Sequence, residues 1–406
     1  MKRVVVTGMA AITPLGNDWE TVAQKLKSQT TGIQKMDDWG KYKGLNTRLG
    51  APVDFSKPEH YSRKQVRGMG RVAMLGTYAS ELALIDAGLL DDPCLTNGQT
   101  GVSYGSSSGS FDGLIDFTKM LLNHDKGGMN ATSYIRMMGH TCPVNISLHF
   151  GINGRIIPTS SACTSSSMGI GYAYETIRYG LQVAMVAGGS DELSASQAAV
   201  FDTLFATSLR NDEPDKTPRP FDRDRDGLVI GEGGGTLILE EREHALNRGA
   251  HIYAEIVGFG TNCDGLHVTQ PDSASMQVAM RLALQDAGLD ATVIDYVSAH
   301  GTATELGDIA ESHATAAVLG NRIPISSMKS YTGHTLGACG AIEAWAAVRM
   351  MNEGWFHPTT NLENIDPACA ELDYIKGDIR KMDCEYLMSN NFAFGGINTS
   401  LIFKRV

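Results

Sequence analysis

The stretch IIPTSSACTSSSMGIG, Ile156–Gly171, decides how the chain is read. IIPT has the apolar, β-branched character of a short strand, and SSACTSSS is a turn of small residues. MGIGYAYETIRYG continues as a helix that is apolar or small on most of its circumference. Such a helix must be covered from two sides, which points to an α/β sandwich of packed layers. Cys163 falls in the turn, ahead of a helix N-terminus whose free N–H groups and partial positive charge favour a thiolate. One cysteine among seven is more often a small buried hydrophobe, so its partners must decide its role.

The same phrase recurs at Ile325–Ala344, ISSMKSYTGHTLGACGAIEA, again a strand, a small-residue turn and an apolar helix. The recurrence points to an internal duplication, with a division near residue 250 and halves of 1–250 and 251–406. The nucleophile candidate belongs to the first half. VVVTG, TGVSYG, VAMVAGGSDE, GTLILEE, IDYVSAHG, IPISSMK and SLIFK read as further strands. VAMLGTYASELALIDAG and ASMQVAMRLALQDAG read as helices ending at glycine. The loop-like NDEPDKTPRPFDRDRDG is too short for a domain linker.

Composition excludes several classes of function. A formal charge of -11 over 406 residues, with no long basic run, argues against nucleic-acid binding, which needs many cations against phosphates. No run approaches the roughly 20 apolar residues of a spanning helix, and the start MKRVVVTGMAAITPLG reads as a first strand, so the expected location is the cytoplasm. The seven cysteines are scattered without a C-x-x-C pair, which argues against a disulfide framework or a zinc site.

Two histidines occupy turns resembling that of Cys163. His300 follows the apolar run IDYVSA and opens HGTATELGD, and His334 lies in KSYTGHTLGACGA. With Cys163 they make a candidate Cys-His-His set for nucleophilic catalysis. Separately, SRKQVRGMGRVAM places Arg63, Arg67 and Arg71 at four-residue steps beside Lys64, which on a helix is one basic face. Such a face is either simply solvated or holds an acidic partner.

SSACTSSSMGIG, AHGTATELGD, MKSYTGHTLGACGAIEA and NNFAFGGIN together resemble the signature segments of the β-ketoacyl-[acyl-carrier-protein] synthases of types I and II, in the thiolase superfamily. The likeness runs along the whole chain. Lys329, His334 and Glu343 stand at relative positions 0, 5 and 14, and His300 and Asp308 are eight apart, as the family pattern requires.

The resemblance implies a five-layer αβαβα thiolase-like fold with a duplicated half, and a dimer whose sheet continues across the two-fold axis. It implies that Cys163 accepts an acyl group, and that the amides of Cys163 and Phe394 form an oxyanion hole. His300 and His334 would then stabilise the enolate of a decarboxylating malonyl unit, with Lys329, Glu343 and Asp308 in support. Thr302 and Thr304 would hold the phosphopantetheine arm, Phe394 would gate entry, and Ser108 would lie at the acyl pocket. Lys64 and Arg67, with Arg63 and Arg71, would dock acyl carrier protein, although Gly68 stands where a further lysine is common. No metal or dissociable redox cofactor is needed for this chemistry.

The chain departs from the pattern at AFGGIN, where Ala393 and Ile397 replace a glycine and a threonine, so a stiffer gate is expected. Thiolases and chalcone-synthase-like enzymes carry Cys-His-Asn or Cys-His-Cys sets, which the paired histidines disfavour. A non-catalytic chain-length-factor-type partner of a ketosynthase heterodimer would have lost the nucleophile that is present here. Fatty-acid elongation and a dedicated polyene or polyketide line share every motif named.

Overall fold

The computed structural model describes residues 1–406. Eleven strands form its main sheet: β1 (Val4–Ile12), β2 (Thr100–Gly105), β3 (Ile156–Thr159), β4 (Ala184–Asp191), β5 (Gly233–Glu241), β6 (Ala254–Cys263), β7 (Tyr296–Ser298), β8 (Pro324–Ser326), β9 (Asp373–Tyr374), β10 (Tyr386–Ala393) and β11 (Ile397–Lys404). The longest helices are α1 (Arg71–Asp86), α2 (Phe111–Asn123), α3 (Ser165–Arg178), α4 (Ser273–Ala287), α5 (Glu305–Leu319) and α6 (Cys339–Glu353).

The strand order is β9-β8-β7-β10-β11-β6-β1-β5-β4-β2-β3. Each half repeats one pattern of pairing. In the first, β1, β5 and β4 run antiparallel in turn, and β4, β2 and β3 are parallel. In the second, β6, β11 and β10 are antiparallel, and β10, β7 and β8 are parallel. The halves meet where β1 pairs antiparallel with β6 over Val4–Val6. The duplication suggested by two short phrases is thus present in the order and direction of every principal strand.

Between the halves lie α3 and α6, each packed against strands of both. Twelve of the fifteen residues of α6 are buried, including Trp345, Val348 and Met351, and only its last residues, Asn352 and Glu353, are exposed. Removing Trp345 to alanine is expected to cost about 3–5 kcal/mol, the usual effect of a large cavity in such a core. The helix ends at Gly354, whose left-handed φ of +69° permits its N–H to bond back to the Met350 carbonyl. Outside, α1 covers β1 and β5, and α4 covers β6 and β11 with α5 packed beside it. These are the five layers.

Two long strands lacked a clear sequence signal. In β6, Gly258 and Gly260 interrupt the apolar run, because a Cβ at either would lie 2.3 Å from the Ala283 carbonyl or 2.1 Å from that of Ala279 on α4. In β10 the polar run Ser389, Asn390 and Asn391 is fully buried. A strand with polar residues inside gives no alternating pattern.

Candidate active site

Cys163 sits in a single 3-10 turn, Ala162–Thr164, between β3 and the start of α3. Ala162 ahead of it has a left-handed φ of +51°, which reverses the chain sharply and presents the thiol at the end of the central helix. His300 leaves the C-terminal end of β7, and His334 follows a short helix over Lys329–Thr332. The His334 main chain is fastened on both sides: its N–H donates to the Val229 carbonyl at 2.7 Å and its carbonyl accepts from Gly231 at 2.8 Å. The main chain at His300 is held by a carboxylate, with the His300 N–H donating to Glu311 Oε1 at 2.7 Å and the Gly301 N–H to Oε2 at 2.6 Å.

These supports bring three distant side chains together. His334 Nε2 is 2.9 Å from Cys163 Sγ, and the two imidazoles stand edge to face with centroids 5.3 Å apart. The reactive atoms of Cys163, His300 and His334 all lie within 4.8 Å of one another. All three residues are buried. One sulfur and two nitrogens at this spacing are compact enough for a metal ion, but the charge of Lys329 acts on each of them and disfavours a further cation.

The electrostatics are consistent with two neutral donors. Burial, and then the Lys329 charge, hold both imidazoles well below the ordinary histidine range. Burial pushes the Cys163 thiol up to about 12, opposed by Lys329 and by the amides of Phe394 and Cys163 itself. Both amides therefore lie near the sulfur. Burial alone would lower the Lys329 ammonium, but Cys339, Glu343 and Glu311 outweigh it. Burial pushes Glu343 up while Lys329 pulls it down. Because Lys329 Nζ donates to one carboxylate oxygen at 2.5 Å and Asn391 Nδ2 to the other at 2.8 Å, the pair is carried as ammonium and carboxylate.

A cavity of about 490 Å³ opens onto this cluster, with Cys163, His300 and His334 in its wall and Thr302, Thr304 and Phe394 along it. The two threonine hydroxyls bond to each other at 2.9 Å. Phe394 packs on Phe201 with centroids 5.0 Å apart. Beside it, Ala393 is the last residue of β10 and pairs with Ile397, so the alanine occupies ordinary strand backbone. The turn itself is made by Gly395 and Gly396, with φ of +85° and +71°. A Cβ at Gly396 would meet Asp264 Oδ1 at 2.0 Å, which fixes this turn against a neighbouring loop.

Several expected residues are placed differently. Residues 63–68 form turns, and the helix begins at Arg71, so Arg63, Arg67 and Arg71 do not share a helix face. Arg63, Lys64 and Arg67 are exposed. Arg71 is instead bonded to both oxygens of Glu232 and to the carbonyls of Val53 and Phe55, so its donors are taken and the docking role does not extend to it. Ser108 is not part of the cavity wall. Asp308 supports the loop rather than the imidazole: it accepts from the N–H groups of Ala303 and Phe221 and lies 3.5 Å from Arg225.

Sequence reasoning missed Glu311 and Asn391, whose only signal was a polar residue in an otherwise buried segment. It also missed Asp191, a buried carboxyl raised to about 7 by burial, which accepts from Ser107 and Gly337 at 2.9 and 2.6 Å. The cavity rim was likewise unforeseen. Leu204, Phe205, Val268 and Leu306 surround the mouth, and Phe205 is 91% exposed with a left-handed φ of +54°.

The chain matches the β-ketoacyl synthase N-terminal domain over residues 1–245 and the C-terminal domain over residues 253–363. It is 39% identical to the 3-oxoacyl-[acyl-carrier-protein] synthase 2 of Synechocystis, covering 100% of this chain and 98% of the relative. It is 35% identical to the 3-oxoacyl-[acyl-carrier-protein] synthase 1 of Escherichia coli K12, covering 100% of both. Among solved structures, a β-ketoacyl synthase from Burkholderia phymatum superposes with a TM-score of 0.99 at 57% identity, over 100% of both chains. The ishigamide ketosynthase/chain length factor gives 0.90 at 30% identity, over 100% of this chain and 99% of that one. The chain belongs to the β-ketoacyl synthase family and has its thiolase-like fold. No helix is long and apolar enough to cross a membrane.

Proposed function

We propose that the chain is a 3-oxoacyl-[acyl-carrier-protein] synthase that joins an acyl group held on Cys163 to a malonyl unit with loss of carbon dioxide. The observation that carries this reading is the convergence of one thiol and two neutral imidazoles at the wall of a single cavity. The thiol attacks the acyl thioester of a carrier protein, its proton passes to the departing carrier sulfur, which leaves as a thiol, and His334 keeps an Nε2–H toward Cys163 Sγ at 2.9 Å. The amides of Cys163 and Phe394 receive the oxyanion.

Malonyl carrier protein enters next. As carbon dioxide departs, negative charge gathers on the thioester oxygen, and an N–H from each neutral imidazole meets it there. The enolate carbon then attacks the Cys163 thioester, expels the sulfur as a thiolate that takes up a proton from solvent, and yields a 3-oxoacyl thioester. Thr302 and Thr304 would bond the phosphopantetheine arm, a role supported by their position along the cavity, and Phe394, packed on Phe201, would keep admission of the acyl chain apart from admission of the malonyl unit.

The partners in this reading are acyl- and malonyl-loaded carrier proteins, with Arg63, Lys64 and Arg67 as exposed cations for an acidic surface. A dimer is supported by β3, an edge strand of the main sheet on which Ile156 is exposed. Fatty-acid-type elongation is favoured by the 35–39% identity to 3-oxoacyl synthases. A dedicated polyene or polyketide line draws on the 30% identity to the ishigamide ketosynthase/chain length factor and to a type II polyketide ketosynthase solved with its acyl-carrier protein. The retained Cys163 argues against a non-catalytic subunit.

Intact-mass analysis after incubation with an acyl-carrier thioester tests the reading. One acyl adduct on the wild type, none on Cys163→Ala, and release as a 3-oxoacyl product on adding malonyl carrier are expected. A wild type that takes up no acyl group would overturn it.

A further inference from the structure

Beyond the reacting groups, a continuous buried chain of hydrogen bonds joins the Lys329–Glu343 pair to the main chain of the nucleophile. Lys329 Nζ donates to Glu343 Oε1 at 2.5 Å, and Asn391 Nδ2 donates to Glu343 Oε2 at 2.8 Å. The same Asn391 nitrogen reaches Cys339 Sγ at 3.6 Å, and the Cys339 thiol donates to the Cys163 carbonyl at 3.3 Å. All of these residues are buried.

Asn391 and Cys339 come from different elements of the site's framework, the middle of β10 and the first residue of α6. Room for the Asn391 side chain is left by Gly340, where a Cβ would lie 2.6 Å from Asn391 Oδ1. That oxygen has no partner, so the amide is held through its nitrogen alone. Neither residue lines the cavity, so neither touches substrate.

We propose that Cys339 and Asn391 are positioning residues: Cys339 fixes the peptide that carries the Cys163 thiol, and Asn391 ties that peptide to the carboxylate that places the Lys329 charge. The proposal rests on the acyl-transfer reading above. The two residues act on different steps. Cys339 bonds the nucleophile's carbonyl directly and meets the Glu343 carboxylate only through Asn391, so it matters chiefly for acylation of Cys163. Asn391 also restrains Glu343, and through it the ammonium that adds to burial in holding His300 and His334 neutral, so it matters for decarboxylation as well. The groups facing the sulfur are Lys329, His300 and His334, with Asp191 and Cys339 behind it.

The test compares Cys339→Ala, Cys339→Ser and Asn391→Ala in the full chain, after the wild type has been shown to take up an acyl group. The pH profile of Cys163 alkylation and the rate of acyl uptake are measured beside malonyl-carrier decarboxylation. Cys339→Ala should slow acyl uptake about 5- to 20-fold and move alkylation to higher pH, with decarboxylation within about twofold of wild type. Cys339→Ser, which keeps a donor, should recover most of the acylation rate. Asn391→Ala should slow both steps. If Cys339→Ala left uptake and the alkylation profile unchanged, or if serine failed to rescue, the proposal would be wrong. Equal loss in both steps from Cys339→Ala would also overturn it, since that is the mark of a residue needed only for folding.

Discussion

Ala162 and Leu336 share one backbone conformation, φ +51° and +50°, at matching turns that precede the two central helices. In each half a left-handed residue starts the short 3-10 turn, and α3 or α6 follows it directly. The residue after Ala162 is Cys163, the proposed nucleophile, whereas the residue after Leu336 is Gly337, whose N–H donates to Asp191 at 2.6 Å.

A left-handed alanine costs about 1–2 kcal/mol, and replacing it with glycine also loosens the unfolded chain by roughly 0.4–1 kcal/mol. Ala162→Gly should therefore leave the denaturation midpoint nearly unchanged while slowing acyl uptake by Cys163, because glycine admits further backbone conformations at the turn. A rise or fall in stability above about 1.5 kcal/mol would contradict the strain assigned to this residue.

The histidines set a pH dependence. Their folded pKa values lie well below 6.5, so below that pH the unfolded chain binds protons that the native chain refuses. Stability should fall as pH drops through 6.5, by about 1.4 kcal/mol per unit for each imidazole, and should gain nothing from them above it. Malonyl decarboxylation should show no half-loss near pH 6.5, since the donors remain neutral there. A rate profile with an acid limb centred at about 6.5 would mean that the imidazoles titrate freely.

Lys329 and Glu343 are a buried pair, so removing one partner leaves the other charge without compensation. Lys329→Met is expected to destabilise the fold by about 3–5 kcal/mol in chemical denaturation. The double change Lys329→Met with Glu343→Leu should recover part of that stability without recovering activity. The same single variant should bring the acid limb of decarboxylation up toward about pH 6.5, because burial then acts on the imidazoles without the lysine charge. An unchanged profile would separate Lys329 from the histidines.

Phe205 is an aromatic side chain held in the left-handed region, 91% exposed, at the mouth of the cavity. Nothing inside the chain offsets that exposure, whereas a carrier protein seated at the mouth would cover it. Phe205→Gly should raise KM for acyl carrier protein several-fold with kcat little changed, and should not lower stability. Equal KM values for the two proteins would remove Phe205 from the docking surface. Substrates presented on a short pantetheine fragment should be indifferent to the change.

The α/β class, the duplication and the candidates Cys163, His300 and His334 were legible along the chain, because strand-turn-helix phrases and a cysteine and two histidines in matching turns are local patterns. Lys329 and Glu343 came through the family resemblance, as a spacing on one continuous segment. The folded chain was needed to see that Glu311 rather than Asp308 holds the His300 main chain, that Arg71 is tied to Glu232, and that Asn391 and Cys339 reach toward Cys163. Each of those contacts joins separate elements, brought together as the two halves close around α3 and α6. A buried carboxylate or amide gives no periodic signal along the chain, and its partner is chosen by which element the packing places opposite it.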